Sequence, residues 1–388
     1  MKMLGDDWAI VPFGKLVENK DSKRVPLKES DRTERHGAYP YYGASGIIDY
    51  VNDYLYEGTH LLIGEDGANL LAGATPIAFL ADGKFWVNNH AHVLAATDRA
   101  ELKYLQYFFE TLDLKPYVTG SAQPKLTRKS LDRIPVPLPP IAEQRRIAAI
   151  LDRADAVRRK RQEAIALTDE LLRSAFLEMF GEPVRNLKSW KVMPMHEVIQ
   201  KIEAGWSANG EDRRRKEDEW GVLKISAVTS GYFQASENKA VENPSFKKPP
   251  IVPQRGDLLF SRANTRELVA ATCLVENDCE CLFLPDKLWR IKTYPKIANV
   301  EYLRFLLADP EYRSLLVAKA IGTSGSVLNV SQAKLLEMDA PIPDLNVQER
   351  FAEILWQTFE LRKQHELACE ESNSAFNSLL QRTFRGEL

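Results

Sequence analysis

The 388-residue chain is predicted to be a mixed α+β protein with an internal pseudo-two-fold repeat: two globular bodies and two long helices. Three observations predict it. Residues 119–151 realign without a gap 204 positions later. Short apolar, β-branched runs bounded by turn residues recur in both halves, the pattern of half-buried strands. Residues 141–180 contain no proline or glycine, so nothing in them interrupts a helix.

The repeat is legible in its punctuation. Thr119-Gly120-Ser121 faces Thr323-Ser324-Gly325, Leu126-Thr127 faces Val330-Ser331, and Pro137-Leu138-Pro139 faces Pro341-Ile342-Pro343. Gln144, Arg146, Ile150 and Leu151 recur as Gln348, Arg350, Ile354 and Leu355. Near the start of each half, Trp8-Ala9-Ile10-Val11-Pro12 resembles Trp190-Lys191-Val192-Met193-Pro194 at the shorter offset of 182, so the bodies differ in loop length while their frames agree.

In the first body, strands are expected at residues 59–64, 76–81 and 91–95, and a helix with apolar residues at helical spacing over 101–112. The proline-rich segment Pro135-Val136-Pro137-Leu138-Pro139-Pro140 cannot be helical throughout, but proline is tolerated at a helix start. The first long helix therefore begins near Pro140 or Ile141. The second body repeats the plan with strands at 257–261, 269–275 and 288–292 and a helix over 299–307. The resulting boundaries are 1–139, 140–181, 182–343 and 344–388.

Along the first long helix a heptad seam runs through Ile147, Ile150, Ala154, Val157, Arg161, Ala164, Thr168, Leu171 and Ala175. A second runs in register through Phe351, Ile354, Thr358, Leu361, His365, Ala368, Ser372, Ala375 and Leu379. Each alone is weak, because small and polar residues occupy several core positions. The two helices are expected to pair as an antiparallel coiled coil through Ile147, Ile150, Leu171, Phe351, Ile354 and Leu379. A helix of about 40 residues spans roughly 60 Å. That exceeds what a small domain needs, and so argues against each helix merely covering its own body.

The chain has 52 basic and 54 acidic residues, a net charge of −2, so any nucleic-acid-binding face must arise by local segregation of charge or be shared with a partner. No apolar run approaches the ~20 residues of a membrane span, and the acidic start, Asp6-Asp7, is unlike a signal peptide. A cytoplasmic location without membrane contact is expected. Cys273, Cys279, Cys281 and Cys369 lack the paired spacing of a zinc ribbon or a disulfide framework.

The segment Ile134-Pro135-Val136-Pro137-Leu138-Pro139-Pro140-Ile141-Ala142-Glu143-Gln144-Arg145-Arg146-Ile147 resembles the conserved central region of the specificity subunits of type I restriction-modification systems. Leu379-Leu380-Gln381-Arg382-Thr383-Phe384-Arg385-Gly386-Glu387-Leu388 is similar to that family's usual ending. Gly120-Ser121-Ala122-Gln123-Pro124 and Gly256-Asp257-Leu258-Leu259-Phe260-Ser261 resemble pieces of its target-recognition domains. The resemblance covers essentially the whole chain. It implies two target-recognition domains, each reading half of a bipartite site in double-stranded DNA, on paired helices that set the spacing. It also implies docking of methyltransferase subunits, expected as two, and of restriction subunits where these exist. This chain would then be non-catalytic and would carry no cofactor or metal.

Candidate DNA-binding residues fall in three groups. Asn88, Asn89 and His90 suit a loop whose amides bond adenine and whose imidazole bonds phosphate or base edges. Arg262, Asn264 and Arg266 combine guanine-reading and adenine-reading side chains just after a strand. Gln123, Lys125, Arg128 and Lys129, with Ser324, Ser326 and Asn329 at corresponding places, form a polar loop in each body; helix capping is the alternative role. The basic runs Arg158-Arg159-Lys160-Arg161 and Arg213-Arg214-Arg215-Lys216 read as solvated faces or as phosphate contacts.

Enzyme readings find less support. Asn243-Pro244-Ser245-Phe246 resembles the tetrapeptide with which adenine methyltransferases hold the target amine, but no strand and glycine-rich turn upstream offers a cofactor site. His90 and His92 would share a face on a strand and, with His60, Glu65 or Asp66, approach a metal site, yet no second matched pair completes it. Gly64-Glu65-Asp66-Gly67 lacks the lysine of a phosphate loop. A stand-alone two-domain DNA-binding regulator, and a methyltransferase with its own cofactor site, are the remaining alternatives.

Overall fold

A computed structural model of the chain describes residues 8–120, 123–242, 246, 249–320 and 327–387. It divides into two compact units, one made of Met1–Gln162 together with Glu366–Leu388, the other of Glu163–His365. Among the described residues, no helix is long and apolar enough to cross a membrane.

The first unit contains an antiparallel sheet in the order Val17–Asn19, Ala91–Ala96, His60–Gly64, Ala78–Ala81. Leu61, Ile63 and Leu94 of this sheet join Tyr104, Leu105 and Phe108 of the helix Leu102–Thr111 in one buried cluster. A second sheet runs Gly46–Val51, His36–Gly43, Lys84–Val87, Tyr56–Glu57, with His36–Gly43 and Lys84–Val87 parallel. Ala9–Pro12 pairs antiparallel with Pro135–Leu138 and closes the unit.

The second unit repeats this arrangement. Its first sheet runs Ile199–Ala204, Leu288–Thr293, Leu258–Ser261, Thr272–Leu274, and its second Asn238–Val241, Trp220–Leu223, Leu282–Phe283, again with one parallel pair. Lys191–Pro194 closes on Asp339–Ile342. The duplication read from the ends of the two halves thus extends through the bodies, and the mixed α+β fold with an internal repeat holds.

The long helices are Ile141–Phe180 and Leu345–Phe384. In the first unit, Ile147 and Leu151 near the start of one helix share a buried cluster with Phe376 and Leu380 near the end of the other. In the second unit, Leu172, Phe176 and Phe180 near the end of the first helix cluster with Phe351, Leu355 and Phe359 near the start of the second. Start meets end in both, so the pairing is antiparallel. The same stripe also packs on the bodies: Phe176 stacks on Tyr302 at 5.8 Å and Phe305 at 5.5 Å, and Tyr107 meets Phe376 edge-on at 6.2 Å. The expectation that the helices pair and the alternative that each covers a body therefore describe two sides of one buried stripe.

The heptad seam needs a correction of phase. Ile147 and Phe351 are buried and Ile150, Ile354 and Leu379 lie at the rim of the stripe, but Leu171 is 51% exposed whereas its neighbour Leu172 is only 2% exposed. Val157 and Leu361 are exposed as well. The reason is helical pitch: seven turns at 3.6 residues are about 25 residues, which carries the stripe from Ile147 to Leu172, one place beyond a strict heptad count.

One buried side chain fastens each body to its long helix. The Gln144 amide donates to the carbonyls of Arg99 (3.0 Å) and Pro139 (2.9 Å) and its oxygen accepts the N–H of Glu101 (2.9 Å). Gln348 donates to Ile297 (3.1 Å) and Pro343 (2.7 Å) and accepts from Asn299 (3.0 Å). Tyr104 and Tyr302 complete each joint by donating to the carbonyls of Pro137 (2.6 Å) and Pro341 (2.5 Å).

The corrected stripe predicts that Leu172→Ala destabilises the second unit by roughly 2–5 kcal/mol, the range for a truncated buried leucine. Leu171→Ala should stay within about 0.5 kcal/mol of wild type, as a surface change does. Paired urea denaturation curves check it; equal losses would restore the strict heptad.

Candidate nucleic-acid interface

In the first unit, three loops converge beside the end of strand His60–Gly64. The Glu65 N–H donates to the carbonyl of His90 (2.8 Å), the Glu65 carbonyl accepts from the N–H of Leu126 (2.7 Å), and Gly67 N–H donates to Pro124 (3.1 Å). Asp66 bridges to Lys125. This brings Asn89, His90, Gln123 and Lys125 to one place, although the sequence offered them as separate loops. Asn89, His90, Gln123 and Lys125 are exposed. The His90 ring lies 2.9 Å from Asp66, and Lys125 Nζ is 3.2 Å from Glu65.

The second unit builds the equivalent corner with different side chains. Arg262 N–H donates to Lys287 (3.1 Å) and Val330 N–H donates to Arg262 (2.8 Å). Ala263–Asn264 then pairs antiparallel with Leu328–Asn329, placing Ala263 opposite Asn329. Two sequence groups, the one at 262–266 and the one ending at Asn329, are thus a single surface. Arg266 and Asn329 are exposed on it. Ser324 and Ser326 lie outside the described residues, as do residues 243–245 of the Asn243-Pro244-Ser245-Phe246 motif; Phe246 packs against Trp220 and Phe283.

Several candidates are already committed elsewhere. Asn88 is only 6% exposed and its Oδ1 accepts the His90 N–H (2.8 Å), so it shapes the turn from within instead of facing a ligand. Arg262 donates through Nε to the carbonyl of Asp286 (2.9 Å) and sits 3.3 Å from its carboxylate. The Ser207 hydroxyl, then Arg262, hold that carboxyl below its usual range against the effect of burial. Asn264 Oδ1 accepts its neighbour's N–H from Thr265 (2.8 Å). Arg128 and Lys129 lie exposed on the short helix Arg128–Asp132, Arg128 being 3.7 Å from Asp132. Capping there falls to Thr127, and in the second unit to Ser331, whose side chains accept from Ser130 and Lys334.

Four arginines of the basic runs are engaged internally. Arg158 and Arg159 both reach Asp155 (2.5 and 2.6 Å), and Arg158 lies over the Phe376 ring. Arg213 pairs with Glu219 and Glu211, and Arg215 donates to four carbonyls including that of Glu280. Arg158 and Arg159 lie on the first long helix, Arg213 and Arg215 in a loop of the second unit.

The sequence missed a charged cluster behind the first unit's loops. His92 Nδ1 lies 2.7 Å from Asp21 and Nε2 2.9 Å from the Leu126 carbonyl, and Arg24 lies 2.6 Å from Glu65. Burial raises the pKa of both Asp21 and Glu65, but hydrogen bonds outweigh it and leave each below the usual carboxylate range: from His92, Val93 and Asn19 for Asp21, and chiefly from Arg24 for Glu65. Asp21, Glu65 and His92 offer ligand atoms within 4.8 Å of one another, yet the guanidinium of Arg24 already supplies the positive charge that a metal would bring. His90 and His92 do not act together, because the strand begins at Ala91 and leaves His90 in the turn. Asp21 and Arg24 sit in the polar run Lys20-Asp21-Ser22-Lys23-Arg24, which reads as solvent-facing.

Comparison with known proteins matches residues 5–167 to the type I restriction modification DNA specificity domain family. Over 89% of its length the chain is 28% identical to a putative type I restriction enzyme specificity subunit of Haemophilus influenzae, covering 86% of that protein. It is 22% identical to the type I restriction enzyme MjaVIII specificity subunit of Methanocaldococcus jannaschii, over 97% of this chain and 92% of the other. A type I restriction-modification S subunit from M. genitalium has a similar structure, with TM-score 0.64 at 14% identity and 98% of each chain covered. A chain from a structural study of assembly in the type I R-M system matches with TM-score 0.52 at 18% identity over the whole of both chains.

The inward role of Asn88 predicts that Asn88→Ala costs about 1–2 kcal/mol of stability, the loss of an acceptor to a partly buried N–H. Asn89→Ala should be near neutral. Thermal or urea unfolding of the two variants separates them, and a reversed order would put Asn88, not Asn89, at the surface.

Proposed function

We propose, from the premise that this chain belongs to the specificity subunits of type I restriction-modification systems, that it selects one asymmetric bipartite DNA sequence for a methyltransferase complex. Each unit reads one half of the site, the first with Asn89, His90, Gln123 and Lys125, the second with Arg266, Asn329 and the rim around Arg262 and Asn264. The paired long helices set the spacing between halves and dock methyltransferase subunits, with restriction subunits joining where they exist. The chain itself performs no chemistry and needs no cofactor, and it works in the cytoplasm. Asn88 supports the first corner from inside. Arg128, Lys129, Ser324 and Ser326 complete the proposed DNA-binding set, the two serines lying outside the described residues.

One observation carries this reading. Both units form the same corner through the same backbone couplings, Glu65 to His90 and Leu126 in one, Arg262 to Lys287 and Val330 in the other, while the side chains on it differ. A conserved frame with changed side chains is what two readers of different bases require, since base edges are distinguished by donor and acceptor pattern and not by fold. A net charge of −2 fits a subunit whose nonspecific affinity for DNA is supplied in part by partners.

The test is methylome sequencing of a host with and without the gene, followed by exchange of residues 8–133 for the equivalent segment of a related subunit. The recognised sequence is expected to change in one half only. A hybrid that alters both halves would make independent reading untenable. In the assembled complex, Lys125→Ala and Arg266→Ala are each expected to weaken binding by roughly 5- to 100-fold, as loss of one base or phosphate contact does. Competition binding at fixed salt measures it, and unchanged affinity for both would move the interface elsewhere.

A further inference from the structure

We propose that Arg24 is the positioning residue of the first unit's reading face: one partly buried guanidinium fixes the loops that carry Asn89, His90, Gln123 and Lys125. The inference rests on the reading that this unit recognises half of the DNA site, and adds which residue makes that recognition specific.

The guanidinium reaches every loop of the corner or the group that holds it. Nη1 donates to Glu65 Oε2 (2.6 Å) and to the Ala91 carbonyl (2.8 Å), and lies 3.4 Å from the Asn89 carbonyl. Nε donates to the Asp21 carbonyl at 3.2 Å, and Nη2 is 3.5 Å from the Asp21 carboxylate. Glu65 passes the constraint on. Its other carboxylate oxygen is 3.2 Å from Lys125 Nζ, and its backbone bonds both His90 and Leu126. His92 ties Asp21 to the Leu126 carbonyl. Five ionisable groups, Asp21, Arg24, Glu65, His92 and Lys125, therefore meet where segments from four parts of the chain converge, and the side chains of Arg24 and Glu65 are only 14% and 12% exposed.

Such a cluster is a poor device for stability alone. Removing ions from water costs several kcal/mol each, and well-packed apolar residues of similar volume often serve stability as well or better. What a planar fork with five donors provides is geometry, because it satisfies several acceptors only in one mutual arrangement. The second unit forms its corner with the same backbone couplings but has Leu288 and Trp289 on the adjoining strand, and the arginine there, Arg262, bonds the carbonyl and carboxylate of Asp286, so among the described residues the five-group cluster belongs to the first unit.

The experiment uses the complex with its methyltransferase subunits and a set of duplexes bearing single base-pair changes in either half. Arg24→Gln is expected to shrink the preference for the cognate over substituted first-unit half-sites by about tenfold or more, the scale of one base-pair discrimination. Arg24→Lys, which keeps the charge but not the fork, should recover only part of it. Preferences in the other half should stay within about twofold. The slope of binding against salt should also be unchanged, because Arg24 meets protein and not phosphate. Thermal unfolding checks that each variant folds; should the glutamine variant fail, the lysine variant carries the test. Intact first-half discrimination in a folded variant, equal loosening of both halves, or a salt slope reduced by about one would each overturn the inference. A wild-type complex that discriminates nothing through the first unit would instead overturn the DNA-reading assignment of that unit, and the inference with it.

Discussion

Two fully buried amides, those of Gln144 and Gln348, define where a body ends and a long helix begins. A proline-rich strand followed at once by a helix leaves carbonyls with no partner in either element. Each glutamine fills that gap with three hydrogen bonds, and in doing so joins the proline segment, the start of the long helix and the loop before the body's own helix. The angle at which each long helix leaves its body follows from these bonds and from the tyrosines that cap the proline strand. Without them a stripe of isoleucine, leucine and phenylalanine would have no fixed surface to pack against.

Much of this frame was legible in the sequence because the joints recur at a constant offset: the glutamines, the proline pairs, and the Leu126-Thr127 and Val330-Ser331 turns all keep their spacing. Strands at 59–64, 91–95, 257–261 and 288–292 were legible because they are central in their sheets and each carries a short run of large apolar residues. The second sheet was not. Strand His36–Gly43 mixes tyrosine with glycine and proline, and its pairing with Gly46–Val51 shifts register twice, so no clean alternation survives to be read. The phase of the long stripe was missed by one residue because a strict heptad describes a free coiled coil, whereas these helices also answer to the tyrosines and phenylalanines of the bodies.

The candidate surface was legible in composition but not in assembly. The group near Arg262 and the residue Asn329 were read separately and turn out to be paired strands, which no local pattern reveals because the partners are more than sixty residues apart. Asn88 and Arg262 illustrate the opposite difficulty: a residue type suited to reading bases is equally suited to bonding a nearby backbone. Overall charge is near neutral because 52 basic residues are offset by 54 acidic ones. Arg158, Arg159 and Arg213 pair with neighbouring acids, and Arg215 bonds neighbouring carbonyls.

The division of the chain has a consequence for synthesis. The first unit is not contiguous: it is completed by Glu366–Leu388, which contributes Phe376 and Leu380 to its buried cluster. As the polypeptide emerges from the ribosome, the body that is made first must wait for roughly two hundred further residues before Ile147 and Leu151 gain their cover. At typical elongation of about 5–20 residues per second that interval is on the order of ten seconds or more. During it an apolar face stands open on a nascent chain, while the second body, encoded in between, can close from its own segment. Residues 366–388 thus govern the solubility of a body translated long before them, and a ribosome stalled short of them would leave the first unit unfinished.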